Sequence, residues 1–389
     1  MRLVLAGVAA VVLLQFQFIT LGTFPLTIAP LLLFLLLGRC LVLRPSLSGT
    51  IILLVVVFYP FGVALFEQNF DTSHFLRTYA LWVTAFGALV AALTLPIKRT
   101  TLDLTTPAFF GLLVTSSFSI LQYLLGKAGN YALYSIWGNH SYFGGYDPTQ
   151  HGIIRASGFY LEPSFNALVM VTLLTVVFLS GTVRQRKVAL VFAVGGLLVT
   201  QSVAGAVGLA LAVILLRVPK GGRAGASSWI PGVVLLAGFF SFQGFVTYLS
   251  GRASSLLVLG SSANYRLVAP LTVVNDVLLN HPLGRPLGTI QSTLSGFGLL
   301  NGVSVGTSLD TGPYYLVFYT GWLGLIGLTL TLIWALPSLR SARAASGPRG
   351  LALVVLVMLF YTGGVILPEF VFLAIILILS WRGAVPSVA

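Results

Sequence analysis

The sequence predicts an all-α integral membrane protein: a single polytopic domain over residues 1–389, with about twelve transmembrane helices and both termini cytoplasmic. Three observations carry this prediction. The chain is 57% AVILMFWYC and only 7% charged, where soluble domains carry about 25% charged residues. Apolar runs of roughly 15 to 25 residues recur from end to end, and a bilayer-spanning helix needs about 20. When those runs are threaded in and out, fifteen of the 21 Lys and Arg fall on one side, while all four histidines and seven of the eight acidic residues fall on the other. The runs are continuous rather than alternating, which excludes a β-barrel.

The elements follow in order. The first run, 3–21, has the length of a signal peptide, but no small-residue cleavage site ends it and a second run, 24–38, follows at once; both are read as spans. Arg39 and Arg44 anchor the inner loop before 47–66. Asp71, His74 and Arg77 lie outside, before 75–95, and read as loop polarity and an ion pair. Lys98 and Arg99 mark the inner turn before 106–124. A long outer segment, 125–160, is rich in Gly, Tyr, Asn and His. It leads to 161–180, where Glu162-Pro163 opens the helix, since proline suits the first helical turn. The inner turn Thr182-Val183-Arg184-Gln185-Arg186-Lys187 precedes 188–201 and 203–218, which read as two short helices or one broken one. Arg217, Lys220 and Arg223 lie inside, before 229–247.

The second outer segment, 248–312, is too long for a structureless turn. Within it Leu267, Leu271, Val274 and Leu278 recur at steps of 4, 3 and 4, one apolar stripe of a helix expected to lie flat at the interface. His281-Pro282 ends that helix. Pro282-Leu-Gly-Arg-Pro-Leu-Gly288 follows as a rigid turn whose glycines admit close backbone approach to a ligand. The last spans are 313–336, 350–367 and 369–381, with Arg340, Arg343, Arg349 and Arg382 inside. This positive-inside bias orients the chain, and reversing it would invert the rule.

Several function classes are excluded. The net charge of +13 sits in short loops where it sets topology, and no nucleic-acid module is present. Cys40 is the only cysteine, so no intrachain disulfide forms. HxH, HxxxH and ExxH spacings are absent, and neither a metal nor a cofactor is implied. No nucleotide fingerprint appears, and no inner loop has room for a nucleotide-binding domain.

The densest polar constellation is Arg155-Ala-Ser-Gly-Phe-Tyr-Leu-Glu162-Pro-Ser-Phe-Asn166. A carboxylate at the lip of a span, with an arginine before it, suits activation of an acceptor hydroxyl beside a bound phosphate. The plainer reading is a helix cap and a headgroup anchor. Arg266 and Arg285 flank the amphipathic helix, and guanidinium groups grip phosphate with two prongs; taken singly, each also reads as an interfacial anchor. Asp276, His281 and Asp310 are the remaining outer groups near them.

These residues resemble a known family. Arg155 through Ser164 is similar to the arginine…Gly-Phe-x-x-Glu-Pro-Ser stretch of Wzy-type polysaccharide polymerases. Leu198-Val-Thr-Gln-Ser-Val-Ala-Gly205 resembles the LxxTxSxxG link of the O-antigen polymerase and ligase superfamily. Asn264-Tyr265-Arg266 through Gly288 resembles its large periplasmic loop, and Asp310 through Gly321-Trp-Leu-Gly324 its re-entering segment. The resemblance implies a GT-C-like, metal-independent glycosyltransferase of the bacterial inner membrane that takes undecaprenyl-diphosphate-linked oligosaccharide at its periplasmic face and moves the growing chain onto the next lipid-linked unit. It implies catalytic roles for Glu162 first and Asp310 second. Substrate or diphosphate binding would fall to Arg266 and, further, to Arg155, Arg285, His281, Asn166 and Tyr265. A flippase and a chain-length regulator are the implied partner proteins. The ligase branch carries a histidine where this chain has Asp310, which favours polymerase over ligase. A transporter or lipid flippase is the competing class, but the ionisable residues sit at span ends rather than at the midplane, and no internal duplication is visible.

Overall fold

The computed structural model describes residues 2–16, 18–21, 24–43, 46–67, 70–94, 103–134, 146–151, 154–217, 269–297, 311–339, 348–359 and 367–384. These fold almost entirely as helices, numbered here in chain order: α1 (Arg2–Val12), α2 (Ile28–Leu43), α3 (Leu47–Leu65), α4 (Thr72–Thr94), α5 (Thr105–Lys127), α6 (Pro148–His151), α7 (Pro163–Ser180), α8 (Val183–Thr200), α9 (Val203–Arg217), α10 (Ala269–Asn280), α11 (Ile290–Gly296), α12 (Gly312–Ala335), α13 (Pro348–Leu359) and α14 (Pro368–Ala384). By length and composition, five are long and apolar enough to cross a membrane: α3, α4, α5, α7 and α12 with its 3-10 extension.

One expectation is corrected at the start. The run 3–21 is not a single helix. α1 stops at Val12, and an antiparallel pair, β1 (Ile19–Leu21) and β2 (Phe24–Leu26), stands between it and α2, with Ile19 opposite Leu26. The reason is local. Phe18-Ile19-Thr20 and Phe24 are β-branched or aromatic, residues that suit a pleated ladder, and Pro25 cannot extend a helix backwards. The second run accordingly starts later, at Ile28. The open alternative at 188–218 resolves as two helices. α8 ends where Gln201 adopts the left-handed conformation (φ 49°, ψ 39°), a common helix terminator.

α7 is the axis of the bundle. Every residue from Pro163 to Val177 is buried, and α5, α8, α9 and α14 pack around it. Such a helix has no polar face to turn outward and needs none. α3 and α12 lie at the periphery. Their outward rows, Ile51, Leu54, Val55 and Phe58 on one and Trp322, Leu323, Ile326, Leu330 and Ile333 on the other, are exposed. A continuous apolar skin of this kind matches a hydrocarbon solvent rather than water. Inside, small residues let backbones approach, as TM bundles require. Ala85, Ala88 and Ala92 of α4 are fully buried, and Gly49 of α3 rests on Thr94.

Helix polarity gathers two sets of ends. Tyr160 Oη donates to Val11 O (3.0 Å), placing the end of α1 beside the start of α7. Thr27 Oγ1 donates to Glu369 Oε1 (2.6 Å), joining the starts of α2 and α14. Arg285 pairs with Glu67 after α3, and Gly288 abuts His74 at the start of α4. At the opposite end Arg382 Nη1 donates to Ala92 O (2.7 Å), and Thr105 and Ser180 hydroxyls meet at 2.6 Å. Glu67, Asp71, Asp147, Glu162, Asp276 and Glu369 therefore share one end of the bundle, and Asp103 lies at the other. The segment 229–247 lies outside the described residues.

Candidate functional site

The segment entering α7 is a loop held from three sides. Ala156 N–H donates to Val199 O (2.9 Å). Arg155 Nε donates to Thr200 O (3.1 Å) and its Nη2 to Gln201 O (3.2 Å). These are carbonyls at the α8 terminus, which the helix itself leaves without donors; a cation there also complements the helix dipole. Gln201 Nε2 returns a bond to Ile154 O (3.3 Å). The second brace comes from α5. Gln122 Oε1 accepts from Gly158 N–H (2.8 Å) while its Nε2 reaches Leu133 O (3.2 Å). Gly158 sits at φ +63°, and a Cβ there would come within 2.7 Å of the Asn166 amide, so glycine is required twice over. The third brace is α1: besides the Tyr160 bond, Leu161 N–H donates to Gln15 Oε1 (3.0 Å).

Glu162 emerges from these braces as the N-cap of α7, extended at φ −133° and ψ 146°, with Pro163 in the first turn. Its side chain makes no cap bond to the helix. It is exposed, and Oε2 accepts from Ser164 Oγ (3.0 Å). Asn166, expected as a binding group, is fully buried; its Nδ2 donates to Ser119 Oγ (2.8 Å) and Ala156 O (3.3 Å). Asn166 and Arg155 thus build the loop that presents Glu162.

Arg285 occupies a second group. Its Nη1 meets Glu67 Oε1 at 3.1 Å and its Nη2 meets Asp276 Oδ2 at 3.0 Å. His281 Nδ1 lies 3.8 Å from Glu67 Oε2, and Asn280 Nδ2 donates to Asp276 Oδ1 (2.8 Å). Burial opposes ionisation of Asp276, but the Asn280 amide and the Arg285 guanidinium outweigh it and hold the carboxyl below its usual value. One guanidinium faces two carboxylates, which leaves no net positive charge for a diphosphate. None of the five side chains bonds to the Glu162 segment among the described residues.

The glycine-proline turn approaches backbone closely, as expected, but the backbone is the chain's own. Gly284 (φ +91°) lies against Tyr319 and Thr320, and Gly288 (φ +86°) against His74 and Phe75. The turn fills a break in α12, where Gly321 is non-helical (φ 55°, ψ −134°). Trp322 N–H donates to Pro282 O (3.0 Å) and Arg285 N–H donates to Phe318 O (2.9 Å). In an unbroken helix residues 322 and 318 would bond to each other. Tyr59 Oη of α3 clasps the turn by donating to Leu283 O (2.6 Å). The helix predicted before the turn is α10. It packs on α12 through a face shifted from the expected stripe: Val273, Val274 and Val277 are buried, while Leu271 is 52% exposed.

Arg266, Tyr265 and Asp310 lie outside the described residues, as does Leu267. Thr311, next to Asp310, is the N-cap of α12. No cluster of three or more His, Cys, Asp or Glu suited to a metal occurs among the described residues. Sequence reasoning missed Glu67, Gln15 and the α5 set. Glu67 carries no local signal, since its partner is 218 positions away. The α5 set did carry one: Thr115, Ser119 and Gln122 step by four and three along an apolar helix, and polar groups inside a span mark an interior contact.

Comparison with known proteins adds independent findings. Residues 1–383 match the family described as WcaD colanic acid polymerase. The chain is 25% identical over 378 residues to a candidate colanic acid polymerase of Escherichia coli (strain K12), covering 91% of this chain and 90% of the relative. No solved structure matches.

Proposed function

The chain belongs to the WcaD colanic acid polymerase family, and from that premise we propose that it polymerises undecaprenyl-diphosphate-linked oligosaccharide repeat units at the periplasmic face of the bacterial cytoplasmic membrane. Family membership supports a multi-pass membrane glycosyltransferase that joins polysaccharide repeat units. Twelve spans, cytoplasmic termini and a periplasmic site complete the reading, on the strength of the basic-residue partition.

The observation that carries the mechanism is Glu162: an exposed carboxylate on a loop braced by α1, α5 and α8, at the mouth of the central helix. In the proposed step the acceptor hydroxyl of the incoming lipid-linked unit gives its proton to Glu162. Its oxygen bonds to the anomeric carbon of the growing chain, whose bond to the diphosphate breaks. The bonding pair leaves on undecaprenyl diphosphate, whose charge a cation must meet. Arg155 and Arg285 are committed to backbone carbonyls and to carboxylates, so Arg266 is assigned that role. Asp310 stands as the second candidate base. A flippase supplying units and a chain-length regulator are the proposed partners.

The test uses purified protein with lipid-linked repeat units. Wild type yields a ladder of products. Glu162→Gln, which keeps the size and removes the base, lowers turnover by about 10²–10⁴-fold, and Arg266→Ala abolishes long polymer; both variants remain in the membrane. Normal ladders from both variants would remove the assignment. A single transfer by wild type would indicate a ligase, and no transfer a transporter.

A further inference from the structure

We propose that Gln15, at the turn after α1, binds the acceptor sugar alongside Glu162; the inference rests on the polymerase reading above. Leu161 N–H can only donate, so the Gln15 carboxamide must present its oxygen to it, at 3.0 Å. That bond fixes which end of the amide faces inward. The Nε2 group, with two N–H donors, is turned the other way and has no partner among the described residues. The side chain is half-buried rather than free in solvent. The backbone that carries it is held in the turn: Leu14 is fully buried, and Phe16 N–H closes the turn by donating to Leu13 O (3.0 Å).

The residue after Leu161 is Glu162. An orientation-locked donor pair therefore stands one residue from an exposed carboxylate, on a backbone that α1 itself secures through Val11 O and Tyr160 Oη. Sugar hydroxyls accept as well as donate. A carboxamide N–H that binds the oxygen of one acceptor hydroxyl would leave the neighbouring hydroxyl aimed at the carboxylate. Gln15 thereby selects which hydroxyl is deprotonated, and it contacts substrate without taking part in bond making. Its oxygen holds the loop, and its nitrogen reads the sugar.

The two functions separate in one substitution. Gln15→Glu keeps an acceptor for Leu161 N–H and deletes the N–H donors. With wild-type lipid-linked units as substrate, the variant should match wild type in membrane level and melting temperature. KM for the acceptor should rise about tenfold, the worth of a lost hydrogen bond, with a smaller change in kcat. An unchanged KM would overturn the proposal. If Gln15→Glu fails to accumulate, Gln15→Cys in a Cys40→Ser background replaces it: lipid-linked units should slow maleimide labelling at position 15 at least severalfold, and equal labelling with and without them would overturn the proposal. Failure of the polymerase reading shows separately, as absence of a wild-type ladder.

Discussion

At the scale of the residue, the arginines divide by what surrounds them. Arg155 and Arg285 look alike in sequence, each a guanidinium in a Gly-containing outer segment. One donates to carbonyls at the end of α8 and the other faces two acids. Removing Arg285 leaves Glu67 and Asp276 facing each other, both mostly shielded from water. Breaking a buried pair costs about 3–5 kcal/mol; with solvent reaching about a fifth of each side chain, about 2–3 kcal/mol is expected for Arg285→Ala, measured as a fall in thermal stability in detergent. The same group sets an acid limit. Asp276 has a folded pKa below its unfolded value of about 3.9, so its contribution is complete above that value and is lost as pH falls through the lower, folded one. Asp276→Asn should flatten the loss of stability below about pH 4 relative to wild type, and an unchanged acid limb would show that the pairing contributes nothing. No local pattern reveals such a group. His281 and Arg285 drew attention as phosphate ligands with Asp276 close by in sequence, whereas the meaning of all three depends on Glu67, which follows another helix.

At the scale of the element, punctuation was the legible part. Pro163 opens α7, Pro282 follows the end of α10, and the apolar runs of α3, α4, α5 and α12 emerge within a few residues of their expected bounds. Hydropathy failed where two structures share one composition: Phe18 to Leu26 is as apolar as a span, and only its β-branched and aromatic character separates a hairpin from a helix. Hydropathy also cannot show that α12 is broken, since Gly321 is one glycine among several. Its torsions are closed to other residues, and an added Cβ would collide with Pro282 O. Gly321→Ala is therefore expected to cost about 1–3 kcal/mol and to expel the 282–288 turn. Proteolysis between Asn280 and Thr289 should become faster in that variant; an equal rate would show that the turn holds its place without the break.

At the scale of the whole molecule, the basic-residue partition and the geometry of helix ends are separate lines that agree. Contacts collect the ends of α1, α3 and α8 with the starts of α2, α4, α7 and α14, and the acids concentrate there. In a Cys40→Ser background, single cysteines at exposed Ser73 and Asn130 should react with an impermeant maleimide from the periplasmic side, and one at exposed Arg184 should not. Reaction of positions 73 and 130 from opposite sides would dismantle the threading. The site was only half legible at this scale. Its carboxylate stood out beside a proline, but the scaffold that presents it is assembled from α1, α5 and α8, whose approach no linear pattern encodes.

The plugged break in α12 bears on how the chain is made. A helix entering lipid with Phe318 O and Trp322 N–H unpaired carries bare peptide groups into hydrocarbon, each costing several kcal/mol. Both partners lie upstream, at Pro282 and Arg285, so synthesis delivers the cork before the bottle. Biogenesis of this half of the protein is thus ordered by the chain itself: α12 settles in the bilayer as the second half of a hairpin-like unit whose first half is already waiting at the surface.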